Sequence, residues 1–98
     1  MARFDIYRMK DGETVVDCQA DIHIHLDTRF IIPLVPFAED YPIKRGLNPI
    51  VNIDGASMVL VAEFASTVFV RDLRKKLGTL DGYHDEITRA LDFLTSGF

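Results

Sequence analysis

Polar and apolar residues alternate in Arg3-Phe4-Asp5-Ile6-Tyr7-Arg8, which predicts a strand with one wet face. Lys10, Asp11, Gly12 and Glu13 then form a charged turn, and the β-branched run from Thr14 to Ala20 returns as the hairpin partner. Phe30-Ile31-Ile32-Pro33-Leu34-Val35 is continuously apolar, but Pro33 has no N–H and points to a sheet edge or a bulge. Pro36, Pro42 and Gly46 mark residues 36–48 as a long connecting loop. Pro49 to Ile53 and Ser57 to Ala65 read as two strands joined by the turn dipeptide Asp54-Gly55. Thr67 to Val70 is a further β-branched stretch. The basic segment from Arg71 to Leu80 reads as a solvated turn or short helix. Asp81 is placed to cap a terminal helix whose apolar face comprises Tyr83, Ile87, Ala90, Leu91 and Leu94, with Gly97 ending it. About six short strands, one long loop and one helix result. Hairpin-sized connections favour antiparallel order, so the expected fold is mainly β, a small and partly open barrel capped by a C-terminal helix.

Composition narrows the class. With 98 residues the chain is expected to form one domain, 1–98, and its 48% hydrophobic content excludes wholesale disorder. A net charge of −4 argues against binding nucleic acid or an anionic membrane through bulk charge. Cys18 is alone and cannot form an intrachain disulfide, and no apolar run approaches a membrane span. A cytoplasmic protein is expected.

Candidate chemistry is sparse. The segment Asp21-Ile22-His23-Ile24-His25-Leu26-Asp27, if extended, would put Asp21, His23, His25 and Asp27 on one face. Two imidazoles two residues apart can share a metal, but no third strong ligand lies nearby, and the plainer reading is a wet face. No metal centre and no cofactor are expected. Cys18 lies within a predicted strand and reads as a small core thiol rather than a nucleophile. Arg71, Arg74, Lys75 and Lys76 lack the interleaved aromatic residues of a base-stacking surface and read as a solvated face. In the long loop, Glu39 and Asp40 precede Lys44 and Arg45, a pattern suited to a disordered charged tail that orders on binding.

A set of landmarks runs in order along the whole chain: Phe4-Asp5-Ile6-Tyr7, Asp17-Cys18-Gln19-Ala20-Asp21-Ile22, Arg29-Phe30-Ile31-Ile32-Pro33-Leu34, Leu47-Asn48-Pro49-Ile50-Val51, Ala65-Ser66, and a helix from Asp85-Glu86-Ile87 to Gly97-Phe98. This set resembles the CcdB family of plasmid-addiction toxins, which inhibit DNA gyrase. The resemblance implies a non-enzymatic homodimer with an SH3-like barrel. It implies a toxin that traps the gyrase–DNA cleavage complex through the GyrA subunit and is neutralised by a CcdA-like antitoxin. The family's Trp-Gly-Ile tip corresponds to Ser96-Gly97-Phe98, its assisting Asn to Asp92, and its Ile-Ile loop pair to Ile22 and His23. The gyrase-binding set carried over is Ile22, His23, Asp92, Thr95, Ser96, Gly97 and Phe98, with Lys44 and Arg45 assigned to the antitoxin. Two alternatives stand beside it. One is an endoribonuclease like the MazF and Kid toxins, for which Arg29, His23 or His25 would serve. The other is a dimer that binds antitoxin but has lost gyrase poisoning with the tip tryptophan.

Overall fold

The computed structural model describes residues 2–97. Seven strands form one antiparallel sheet: β1 (Asp5–Met9), β2 (Thr14–Asp17), β3 (Thr28–Pro36), β4 (Ile50–Ile53), β5 (Ala56–Leu60), β6 (Ser66–Phe69) and β7 (Leu73–Thr79). They are followed by a helix, α1 (His84–Ser96). The order across the sheet is β4-β5-β3-β2-β1-β7, and β6 also pairs with β3. The sheet curls into a half-barrel, as expected for a mainly β fold with a C-terminal helix.

Strand β3 organises this curl. It pairs along one side with β2, and on the other with β5 at Leu34–Pro36 and with β6 at Thr28–Ile31. Pro33 falls where the partner changes, and its carbonyl accepts the Val61 N–H at 3.0 Å. The edge or bulge expected at Pro33 is thus corrected. Pro33 sits in the middle of the central strand, and its missing N–H costs no ladder bond because neither β5 nor β6 reaches that point.

The two faces of the sheet bury different chemistry. Phe4, Ile6, Val16, Cys18, Ile32, Leu34, Val51 and Leu60 pack under α1 through Ile87 and Ala90. On the opposite face Tyr7, Val15 and Ile31 form a smaller cluster with Met9, Val68 and Leu73. Asp5, Asp17 and Arg29 share that second face by strand parity, and all three are buried. The wet face expected of the first strand is therefore a buried one, with Asp5 paired to Lys76 at 3.3 Å.

The basic segment from Arg71 is neither a turn nor a helix over most of its length. After a 3-10 turn at Val70–Asp72 it becomes β7, paired with β1 across two register shifts. Leu73 and Leu77 supply the inward contacts, and the charges stand on a sheet edge, where they oppose pairing with other chains. Asp81 does not cap the helix. It begins a 3-10 turn, Asp81–Tyr83, and donates its own N–H to Thr79 Oγ1, so the cap position falls to Tyr83. The Tyr83 hydroxyl in turn accepts the N–H of Asn52, occupying part of the outer edge of β4. Gly97 ends α1 in the left-handed conformation, at φ 78°, with its N–H on the Phe93 carbonyl. The Asp54-Gly55 turn has positive φ at both residues, as a two-residue hairpin loop requires.

Candidate functional site

The segment 21–27 is a loop, so the extended form weighed for it is not the one adopted. A 3-10 turn at Asp21–His23 closes with His23 N–H on the Ala20 carbonyl, and Leu26 N–H returns to the His23 carbonyl. Satisfied locally, this backbone needs no strand partner. Ile22, Ile24 and Leu26 all face solvent, at 77%, 48% and 44% exposure. His23 and His25 are exposed as well, and no group of three or more His, Cys, Asp or Glu side chains among the described residues is arranged to hold a metal.

The loop is tied down by polar side chains. Gln19 Nε2 donates to the His23 carbonyl at 2.9 Å, while Gln19 Oε1 accepts the Phe30 N–H at 3.1 Å. Arg29 donates from a terminal guanidinium nitrogen to the Ile24 carbonyl at 2.8 Å. Asp21 Oδ1 accepts the Arg3 N–H at 2.8 Å. Beneath them Asp17 lies 3.8 Å from Arg29 Nε and accepts the Gln19 N–H. Burial pushes the Asp17 carboxyl up, with the Gln19 N–H and Arg29 opposing and Asp5 and Asp21 adding to the rise. Arg29, a candidate group for RNA chemistry by sequence, is thus buried and engaged in holding the loop.

The second part of the predicted surface is the end of α1. Asp92, Thr95, Ser96 and Gly97 are all exposed there, while Phe98 lies outside the described residues. Thr95 turns its hydroxyl back onto the Leu91 carbonyl at 3.0 Å, which removes it from the tip's outward face. Asp92 places a negative charge near the negative end of the helix, a position that weakens rather than supports it. Loop and tip rest on different supports. The loop reaches the first turn of α1 through Arg3, whose guanidinium lies 4.6 Å over the Phe4 ring, and Phe4 meets the His84 ring edge-on at 5.4 Å. From that first turn to the tip runs the length of α1, about 18 Å at 1.5 Å per residue.

The long loop packs beside the same helix. At Gly46, with φ +86°, a Cβ would stand 3.0 Å from the Phe93 ring, so glycine lets the loop pass over that side chain. A groove of about 340 Å³ lies between the two, lined by Ile43, Arg45, Pro49, Ile50, Arg89 and Ala90. Of the residues assigned to the antitoxin, Arg45 is exposed on this groove, whereas Lys44 is engaged by Glu63 at 3.0 Å. Glu63 also receives the Asn48 amide at 2.6 Å. Burial alone would raise the Glu63 carboxyl, but its own N–H, Asn48 and Lys44 outweigh it and hold it below the ordinary value. Its stabilising contribution is therefore present above the unfolded-state value near 4.5 and is lost as pH falls through the lower folded value. Glu63→Gln is expected to cost about 1 kcal/mol at pH 7. Urea midpoints should show that difference shrinking to nothing in acid; a deficit that persists there refutes the linkage.

Sequence reasoning missed Gln19 as a residue of the site, and it weighed Arg29 only as a group for RNA chemistry, not as a buried support of the loop. The signal for Gln19 was only its place in a quoted landmark, and nothing in the sequence marked Arg29 as buried.

A search among curated proteins finds no match. Among solved structures, one described as an endoribonuclease from mycobacterial species is similar in fold, with a TM-score of 0.68 and 14% identity over 97% of this chain and 90% of that one. The CcdB protein family model matches residues 3–97, nearly the whole chain. On that match, and with the half-barrel and terminal helix in place, the chain belongs to the CcdB family of plasmid-addiction toxins.

Proposed function

We propose that this toxin acts without enzymatic chemistry, as a homodimer that binds the GyrA subunit of DNA gyrase and traps its cleavage complex, and that a CcdA-like antitoxin relieves it. The observation that carries the reading is the 21–27 loop, which presents three apolar side chains to solvent on a backbone anchored from below. Side chains displayed in this way contribute little to the fold and suit a protein partner. Asp92 and Ser96 likewise do little for α1, consistent with a contact role. Phe93 and Leu94 remain 38% and 41% exposed beside the helix's buried stripe, which favours a second copy as their cover.

The test is gyrase-dependent cleavage of supercoiled DNA by the purified protein, run beside an RNA degradation assay. Wild type should raise cleavage and leave RNA intact. Deleting Gly97 and Phe98 should abolish the effect with the melting temperature nearly unchanged, since chain termini contribute little to stability. A tryptophan buries 150–250 Å² and is a common interface anchor, so Ser96→Trp should strengthen the effect. RNA degradation would transfer the reading to an endoribonuclease. No cleavage by wild type, with a gain in Ser96→Trp, would identify a toxin disarmed at its tip.

A further inference from the structure

On the reading that the 21–27 loop meets GyrA, we propose that Gln19 is a positioning residue that fixes the shape in which this loop is presented, with Arg29 as its support. The two carbonyls at the head of the loop, those of His23 and Ile24, are each held by a side chain from the adjoining sheet segments: Gln19 Nε2 at 2.9 Å and Arg29 at 2.8 Å. With both carbonyls held from the sheet, the backbone between Ile22 and Leu26 has little freedom to turn, and its apolar side chains are left outward. Gln19 is suited to this because an amide both donates and accepts. Its oxygen engages the Phe30 N–H of β3 and its nitrogen the loop, so the position of the loop is referred to the central strand. Asp17 completes the support, accepting the Gln19 N–H while lying next to Arg29. A partner that binds the three apolar side chains then meets them already ordered, without the entropic cost of fixing a free loop.

The decisive variant is Gln19→Glu. A carboxylate can still accept the Phe30 N–H but can no longer donate to the His23 carbonyl. Amide hydrogen exchange in Gln19→Glu should accelerate about tenfold at Ile24 and Leu26 and stay at wild-type rates at Val16 and Ile32, with affinity for a purified GyrA fragment about tenfold weaker per folded molecule. Gln19→Ala, which loses both bonds, should show the same loop acceleration together with faster exchange at Phe30. Loop amides exchanging at wild-type rates in Gln19→Glu would overturn the proposal, as would an affinity loss no larger than the loss of folded protein. If wild type does not bind GyrA while the loop acceleration appears as described, the gyrase reading falls and the positioning role of Gln19 stands.

Discussion

Replacing Arg29 with methionine is expected to lower the melting temperature by about 15 °C or more, the largest effect of any single change outside the apolar core. The substitution keeps much of the side chain's volume but leaves Asp17 buried without its cation, with Asp5 on the same face of the sheet. Breaking a buried pair from one side costs about 3–5 kcal/mol, because the remaining charge is neither solvated nor neutralised. In a domain of this size each kcal/mol moves the midpoint by about 4–8 °C. The pH dependence gives a second check. A carboxyl whose folded pKa lies above its unfolded value favours the folded state when protonated, so its cost appears as pH rises through the folded value and vanishes below the unfolded one. Burial already raises the Asp17 carboxyl, and losing Arg29 raises it further. The deficit of Arg29→Met should therefore narrow in acid. Adding Asp17→Leu should recover much of the loss at neutral pH, since no buried charge then needs a partner there. A fall below about 5 °C in the single variant would show that solvent or Lys76 satisfies Asp17 without Arg29.

Ile87→Ala should cost about 2–5 kcal/mol, the usual range for truncating a fully buried isoleucine. Ile87 and Ala90 are the two buried residues of α1, and with the half-buried Leu91 they carry the main contact of the helix with the core. Leu94, at 41% exposure, lies on the same helix but largely outside that contact, and Leu94→Ala should change stability by less than about 0.5 kcal/mol. The contrast is read from urea unfolding midpoints at constant slope. Comparable losses at the two positions would mean that the helix docks along its length rather than at its first half.

Much of the fold was legible because its signals are local. Asp54-Gly55 announces a hairpin whose turn needs two positive φ angles, and the apolar positions Ile87 and Ala90 recur at helical spacing. Where reading failed, a distant partner decided the outcome. Asp5 looks like the wet side of an amphipathic strand, yet the sheet's curl covers both faces and supplies Lys76 from β7, seventy-one positions away. Residues 73–79 carry too much charge to suggest a strand, and only pairing with β1 makes them one. The 21–27 segment alternates as a strand does but is closed by hydrogen bonds to its own backbone and by Gln19 and Arg29. Of the candidate site, the exposed helix end could be anticipated from Gly97. The polar supports beneath the loop could not, because they become neighbours only when β2 and β3 pair.

Cys18 extends these conclusions to how the molecule's opening can be followed. Its thiol is buried in the core under α1, and burial, with the charge of Asp17 adding to it, pushes its pKa up to about 12. A thiol reagent in neutral buffer thus finds neither access nor thiolate while the chain is folded. Modification must wait for an excursion that uncovers the core. The only cysteine of the chain then serves as an internal clock, its labelling rate reporting how often the domain opens without any added probe.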